Sequence, residues 1–468
     1  MMFWLLMSFS VAPPTAEPIP EIRLARSGTT SNPLLDWRLT YDEFEQINGN
    51  AAILWMRAGV VMRRINQNWE QVHFGVVRQP ISPKDQKIIQ DILEKHATAY
   101  KYASEAARCT YCDWQRPAVT IQNLADGSAI EFVEVQPARE LAHLLRLRAN
   151  LALAERRWDD ARRDLRIGLT LARHLADGQT VLSDLVAIAV TSALLDVVDH
   201  WVTLPDSPNL YWALTELPAP FIDARRSIRH ELNTIYRSVP GLRDLTTRNF
   251  SDKEILNMWK QISRQSKSSD LTEVMDVMIS TATMHLKYPT AHKALLARGY
   301  PESRLKTMSK SQVVLLWMQQ EYNQEREPIL QMLCLPTYPG LSRFEEWTKD
   351  HKKRVEKSEN LFVKLHGLST PSFVKTWQAQ ARLERTLVAL RAVELLRGRD
   401  QLPKKWAELN SELRDPLTGK SLDDWYRRED RQAVLHLPGP FRSVQKKFLL
   451  MAPPAAKETP PSADPKRR

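Results

Sequence analysis

Two cysteines spaced C-x-x-C are the strongest candidates in this chain for a redox or metal-binding role. The stretch from Ala107 reads ARCTYCDW and places Cys109 and Cys112 where a charged, alanine-rich helical run ends. A redox dithiol is expected at a helix start, where the helix dipole lowers the thiol pKa, and a zinc site needs two further ligands. We therefore interpret the motif as packing, with Cys112 as a small buried hydrophobe, Asp113 as a cap or turn residue and Trp114 as a large anchor.

The rest of the cysteine and histidine complement supports no metal or redox centre. The chain has 3 cysteines, which excludes a disulfide framework and disfavours a zinc site of four thiolates. A disulfide between Cys109 and Cys112, formed after export, is an alternative that the sequence leaves open. None of the 11 histidines stands in HExxH, because His230 is followed by Glu231 without a second histidine at the required spacing.

Signatures of nucleotide binding and of serine hydrolysis are missing as well. The sequence contains no GxSxG, GxGxxG or GxxxxGK[ST] pattern. The stretch DPLTGK has one glycine before its lysine, too few to build a cradle of backbone amides for phosphate. We interpret it as a turn set by Asp415, Pro416 and Gly419. We predict no catalytic residue, no bound cofactor and no metal ligand.

Composition favours a soluble helical protein with a basic surface. Hydrophobic residues make up 43% of the 468 positions and charged residues 26%, while Gly 14 is low for a protein rich in turns and strands. A formal net charge of +11 would let the surface attract nucleic acid, anionic lipid or acidic polysaccharide, but solubility alone also accounts for it and is the preferred interpretation. No basic run is interleaved with aromatics, which disfavours nucleic acid. The expected partner is a protein, with an anionic envelope polymer or lipid as the alternative.

The chain opens with MMFWLLMSFSVAPPTAEP, an apolar run followed by small residues and prolines. The run is shorter than the roughly 20 apolar residues that span a bilayer. It predicts a secretory signal over residues 1–16, cut near Ala12 or Ala16, and hence a periplasmic or envelope-associated protein. A misassigned start or an apolar terminus is the alternative. No later segment is expected to be apolar enough to span a membrane.

Periodicity predicts a mainly α fold with a small C-terminal α+β module. A multi-helical body is expected over 34–369, with Asn50, Ser251 and Ser309 as helix caps. A long helix from Ser372 and a small β module make up 370–440, and the polar, proline-rich residues 452–468 are expected to be disordered. An all-helical body is expected from about residue 34 to 398, with β structure only near 118–135 and after 402.

One segment, about 138–176, has the spacing of small and apolar residues found in a tetratricopeptide helical hairpin. Small side chains let two antiparallel helices approach closely, and Ala149, Ala152 and Gly168 are in place for this. Arg148 and Arg156 stand where the repeat would have leucine and glycine. Only this one unit matches, whereas at least three repeats are normally needed for a stable array.

Taken together, several segments resemble an uncharacterised family of exported bacterial helical proteins. They are NAAILWMRA from Asn50, CDW from Cys112, LAHLLRLRANLALAERRWDDARRDLRIGLTLARHLAD, SPNLYWALTELPAPFIDAR and DPLTGK. The resemblance covers about two thirds of the chain and implies no reaction. The C-terminal part is also similar to the soluble end of type II secretion pseudopilins, although the charged helix from Ser372 cannot lie in a bilayer.

Two classes of function follow from these observations. The preferred one is a non-enzymatic interaction or scaffold protein of the cell envelope, because stacked helices offer extended surfaces. The alternative is an enzyme whose site is assembled only in three dimensions. A deep pocket lined by carboxylates or histidines would favour the enzyme, and a shallow groove would favour binding.

The C-terminal module is expected to dock on the helix that precedes it. Leucines and a valine recur on that helix at mixed spacings of three and four and give it one apolar face: Leu383, Leu387, Leu390, Val393 and Leu396. A small hairpin alone is marginal in water and needs such a face as its core.

Overall fold

The computed structural model describes residues 21–27, 33–63, 83–115, 134–178, 180–264, 273–399, 401–410, 412–429, 432–438 and 445–451. Over these residues the protein is mainly helical with a small C-terminal sheet, which confirms the predicted fold class. The expected signal over 1–16, the tail over 452–468 and residues 118–133 of the expected β excursion lie outside the described residues.

The first group of helices includes most of the residues of three resembling segments, those that begin at Asn50, Leu141 and Ser207. The helices of this group are α1 (Leu34–Trp37), α2 (Ala51–Arg63), α3 (Pro83–Lys95), α4 (Ala97–Ala107), α5 (Val135–Ala154), α6 (Trp158–Ala176), α7 (Val181–Trp201), α8 (Tyr211–Glu216) and α9 (Ala224–Leu232). Asn50 begins α2 as predicted, because its side-chain oxygen accepts a 3.1 Å hydrogen bond from the Ala52 amide.

The second group of helices is longer and more charged. It consists of α10 (Thr234–Ser238), α11 (Asp252–Arg264), α12 (Glu273–Ala297), α13 (Glu302–Lys306), α14 (Lys310–Met332), α15 (Thr337–Lys357) and α16 (Leu361–Arg397). A 3-10 helix over Pro240–Asp244 follows α10. Ser309 caps α14, since its hydroxyl accepts a 3.2 Å hydrogen bond from Gln312. Ser251 and Glu254 form a capping box that begins α11.

Strands lie at both ends of the chain and in one short inner pair. They are β1 (Glu21–Arg23), β2 (Ile47–Asn50), β3 (Cys109–Tyr111), β4 (Tyr426–Glu429), β5 (Gln432–Leu437) and β6 (Lys446–Met451). The larger sheet has the order β1-β6-β5-β4, in which β1 is parallel to β6 and the other pairs are antiparallel. The smaller sheet pairs β2 with β3 in parallel, with Ile47 opposite Cys109.

Two expectations about element placement were wrong. Strands β1, β2 and β3 lie outside the two regions where β structure was expected. They were missed because each is only three or four residues long and gives no alternating pattern to detect. The long helix begins at Leu361 instead of Ser372, with Asn360 as its cap. Pro371 lies inside this helix, although a proline followed by serine reads in sequence as a helix boundary.

Helix α16 runs along three hydrophobic clusters and connects them. Near its start Phe362 joins a cluster with α11, α12 and α14. Its middle, including Trp377, packs with α9, α14 and α15. Its last turns, including Leu390, join the largest cluster together with α2, α4–α8 and the C-terminal sheet. The expected boundary between residues 369 and 370 therefore falls inside one continuous helix.

The C-terminal module packs against the end of α16 as its apolar spacing predicts. Leu390 and Val393 are fully buried, in one cluster with Trp406, Leu422 and Leu435. Burying a leucine side chain stabilises a fold by about 1.5–3 kcal/mol, so this face supplies the core that a small sheet lacks.

Helices α5 and α6 form a helical hairpin at the segment selected from sequence. Gly168 is needed where α6 meets α7, since a Cβ there would lie 2.5 Å from Cδ1 of Leu194. Arg156 has a φ of 55°, a left-handed conformation that glycine adopts without cost. Arg148 stacks over the Tyr100 ring at 3.7 Å and donates to the buried carboxylate of Asp164 at 3.3 Å, in place of a leucine contact.

Helix α7 is apolar on more than one side. Within the described residues it is the one helix long and apolar enough to cross a membrane by length and composition, and 67% of its apolar window is buried in the fold. The expectation that no such segment follows the leader was wrong. A helix at the centre of a core satisfies the same criterion as a membrane span, because it too meets apolar surroundings on all faces.

Candidate functional site

Asn50 fixes the CDW motif in place. Its side-chain amide donates to the Asp113 carbonyl at 2.8 Å, and its side-chain oxygen accepts from the Asp113 amide at 2.9 Å. The Asp113 carboxylate accepts from the Gln115 amide at 2.9 Å and so shapes the turn that follows β3. One asparagine thus caps α2 and holds the motif against the start of that helix.

His174 on α6 joins two tryptophans from the resembling segments. The Trp114 indole donates to the His174 carbonyl at 2.7 Å, and the buried Trp55 indole donates to its Nδ1 at 3.0 Å. An indole N–H only donates, so Nδ1 is the acceptor and the neutral ring carries its proton on Nε2. Burial, and secondarily Arg173, lowers the pKa of His174 to about 4, which keeps the imidazole neutral at physiological pH.

Both motif cysteines are buried free thiols. Burial raises the pKa of Cys109 and that of Cys112, and neighbouring carboxylates add to the effect. Because the thiolate is the nucleophile and the metal-binding form, a raised pKa disfavours both kinds of chemistry. Within the described residues no group of three or more histidine, cysteine, aspartate or glutamate side chains is placed to hold a metal ion.

A cavity of about 350 Å³ opens beside these residues, and we call it the β3 cleft. It lies between β3, the end of α6, the segment before β2 and the stretch that leads into α9. Its polar and charged lining includes Thr110, Tyr111, Arg173, His174, Asp177, Asp223 and Arg226. Segments that are far apart in the sequence therefore converge on one concave surface.

The two carboxylates of the β3 cleft face arginines. Asp177 lies 3.7 Å from Arg226, and both side chains remain substantially exposed. Burial raises the pKa of Asp177, with Arg226 and Arg173 opposing the shift. Asp223 binds the guanidinium of Arg225 through both oxygens, at 2.7 and 2.9 Å, and also caps α9. These carboxylates are therefore engaged in ion pairs, and Asp223 also in a helix cap.

Arg385 holds the DPLTGK turn against α16. Its guanidinium pairs with both carboxylate oxygens of Asp415, whose Oδ1 also accepts from the Leu417 amide at 2.9 Å. Burial alone would raise the pKa of Asp415, but the hydrogen bonds from Arg385, Leu417 and Thr418 hold it below its ordinary value. Gly419 has a φ of 67° and closes the turn that follows Pro416. The turn shares no lining residue with the β3 cleft.

A buried ion pair near the end of α16 was not foreseen from sequence. Arg397 and Glu394 are 2.9 Å apart, and neither side chain is exposed. Arg397 also donates to the Ala25 carbonyl at 2.7 Å, and Asn209 donates to the Glu394 carbonyl at 2.8 Å. The pair therefore ties the segment after β1 and the SPN stretch to the long helix, which indicates a structural role.

Sequence reasoning missed the charged residues of the β3 cleft. Arg173, His174 and Asp177 stand in the stretch LARHLAD, and Asp223 stands in FIDAR. Both stretches were selected only for resemblance and helix spacing. A usable signal was the group of charges in RHLAD, which follows the apolar stretch IGLTLA at the end of α6.

Comparison of the chain with models of protein families, with curated proteins and with solved structures gives no match.

Proposed function

We propose that this protein is a non-enzymatic interaction protein of the cell envelope that binds a segment of a partner protein in the β3 cleft. The observation that carries the proposal is how the reactive groups of the cleft are protonated and paired. The pKa of Cys109 is raised, the pKa of His174 is lowered to about 4, and Asp177 and Asp223 face arginines. At neutral pH the Cys109 thiol therefore stays protonated and is a poor nucleophile, the neutral His174 imidazole is a weak base, and the two carboxylates are held by arginines.

The polar lining of the cleft suits a peptide ligand. Thr110 and Tyr111 of β3 are exposed, and Arg173 is exposed on the neighbouring helix. Tyrosine and arginine are enriched where proteins bind one another, because each combines a large contact area with hydrogen bonding. A polar chain segment can pair with these groups and with the edge of a short sheet.

We also propose membership in the exported helical family and an envelope location. The apolar leader supports export, and the convergence of Asn50, Trp55, Trp114 and His174 supports the view that the resembling segments form one unit. The tetratricopeptide-like nature of α5 and α6, and the likeness of the C-terminal module to pseudopilins, belong to the same proposal. N-terminal sequencing of protein isolated from native cell fractions tests the location, and an intact Met1 in the cytosol would overturn it.

The interaction is tested by crosslinking inside the native cell. A photoreactive amino acid replaces Thr110 at the cleft, and in a matched control it replaces Ser342, which is exposed on α15. A discrete adduct with an envelope protein from position 110 alone supports the proposal. Equal adducts from both positions would contradict it.

An enzyme is the second candidate, because one histidine and two carboxylates line the same cleft. Catalysis by His174 requires an imidazole that titrates near neutrality. Nuclear magnetic resonance titration of this ring separates the two functions. A midpoint near 6.5 would favour the enzyme, and a ring that stays neutral down to about pH 5 would favour the binding protein.

A further inference from the structure

Three arginines converge in an open depression of about 490 Å³ that shares no lining residue with the β3 cleft. They are Arg237, Arg243 and Arg326. The neutral polar residues of its lining are Asn233, Tyr236, Gln319 and Asn323. None of the described residues that line it is acidic.

The fold brings these residues together from two regions of the chain. Gln319, Asn323 and Arg326 are spaced by four and then three along α14, so they share one face of that helix. Arg237 stands on the short helix α10, and Arg243 stands in the 3-10 helix that follows. Neither region alone carries a recognisable binding motif, which is why sequence reasoning passed over it.

Arg326 is held in place before any ligand arrives. It donates to the Asn233 side-chain oxygen at 3.0 Å, and its guanidinium lies 4.7 Å from the centre of the Tyr236 ring. The Tyr236 hydroxyl donates to the side-chain oxygen of Asn323 at 2.6 Å, which leaves the amide N–H groups of Asn323 as donors. Such preorganisation reduces the entropy lost when a ligand is ordered.

The positive charge of the depression has no counter-charge among the described residues. No described carboxylate lies within ion-pairing distance of Arg237, Arg243 or Arg326, although many other arginines of the chain are paired in this way. Arg237 also contacts the ring of His230, which supplies no negative charge in either protonation state. Burial lowers the pKa of Arg237, and the nearby Arg243 lowers it further, as expected for like charges brought together.

We propose that this depression binds a phosphate group of an anionic ligand. The planar guanidinium presents its N–H groups in a fork that matches the oxygens of phosphate or carboxylate. Three arginines suit the charge of about −1.5 to −2 on a phosphate monoester better than the single charge of a carboxylate. This inference is independent of the β3 cleft.

The test uses inorganic phosphate as the probe and isothermal titration calorimetry of the full chain at constant ionic strength. The parent should bind phosphate saturably. The variant Arg237→Gln/Arg243→Gln, which alters two exposed side chains, should bind at least about tenfold more weakly, because two charge-assisted contacts are lost. Arg343→Gln removes one exposed arginine on α15 and should bind like the parent. Equal binding by the double variant, or no saturable binding by the parent, would overturn the proposal.

Sedimentation with vesicles distinguishes the source of the phosphate. Vesicles of phosphatidic acid, whose headgroup is a phosphate monoester, mixed with phosphatidylcholine are compared with vesicles of phosphatidylcholine alone. Binding to the anionic vesicles that is lost in the double variant assigns the site to a lipid headgroup. Binding of free phosphate without vesicle association assigns it to a small soluble phosphate compound. Both outcomes support a phosphate site, whereas vesicle binding that persists in the double variant together with unchanged phosphate binding contradicts it.

Discussion

The indole Nε1 of Trp114 donates a 2.7 Å hydrogen bond to the carbonyl oxygen of His174, which stands 60 residues later in the chain. This contact joins the turn after β3 to the last turn of α6, where the imidazole of the same histidine accepts from Trp55. Two tryptophans from separate segments therefore hold His174, which lines the β3 cleft.

Replacing Trp114 tests the importance of this anchor for stability. The ring is half-buried, where full burial was expected, so Trp114→Ala should cost about 2 kcal/mol of unfolding free energy, below the usual range for a fully buried tryptophan. Trp114→Phe keeps part of the packing and should cost about 1 kcal/mol, mainly through the lost hydrogen bond. Urea unfolding measures both values. Trp212→Ala, at a position 47% exposed, is the control, and an equal cost there would argue against a special role for Trp114.

Arg385 should be essential to the C-terminal turn. Arg385→Ala leaves the buried carboxylate of Asp415 without its partner, and we expect a loss of about 3 kcal/mol. Because partners depress the pKa of Asp415, its contribution is complete above the unfolded value of 3.8 and is lost as the pH falls through the folded value. The deficit of the variant should therefore shrink in acid. Arg427→Ala, exposed on β4, is the control and should change stability little.

Docking of the C-terminal module on α16 can be separated from global folding. Leu390 is fully buried, so Leu390→Asp forces an unpaired charge against apolar surface and should loosen the module. Limited proteolysis should then cut between about 400 and 440 while the helical body persists, because local opening exposes that segment first. Lys375→Asp is the control, because it places an aspartate at an exposed position of the same helix. Equal resistance of Leu390→Asp and parent would refute the docking.

A buried histidine pair should make the protein sensitive to acid. Nδ1 of His366 lies 3.3 Å from Nε2 of His351, whose Nδ1 lies 2.8 Å from Glu325. Burial, and then His351, lowers the pKa of His366 to about 3. The unfolded chain therefore binds this proton more readily, and stability falls as the pH drops from about 6.5 toward 3.

The variant His366→Gln should remove this part of the acid sensitivity. We expect the parent to lose about 2 kcal/mol more than the variant between about pH 7 and pH 4.5, since one pKa unit corresponds to 1.36 kcal/mol. Urea unfolding at the two pH values measures the difference. His285→Gln, at an exposed position, should behave like the parent. Parallel losses in parent and His366→Gln would show that His366 does not cause the effect.

The features that followed from sequence are those set by neighbouring residues. Asn50 as a helix cap and the apolar face of α16 around Leu390 both follow from spacing within one or two helical turns. The left-handed Arg156 also coincides with the position where the resembling repeat has glycine.

The features that did not follow depend on distant partners. Strand β1 pairs with β6, with Ile22 opposite Phe448, and three residues carry too little pattern to indicate this. The cleft groups Tyr111, His174 and Asp223 meet only after β3, α6 and the stretch before α9 are packed. Helix α16 continues through Pro371 because tertiary packing on three clusters outweighs the local preference for a helix boundary.

The most direct measurement for the central claim is crosslinking from position 110 in native cells, compared across two charge reversals. Arg173 is an exposed cleft residue, and Arg343 is exposed on α15 outside the cleft. The binding role predicts a discrete adduct that Arg173→Glu reduces strongly and Arg343→Glu leaves unchanged, because the partner contacts the cleft wall. An absent adduct, or one equally strong with both reversals, would contradict a partner in the β3 cleft.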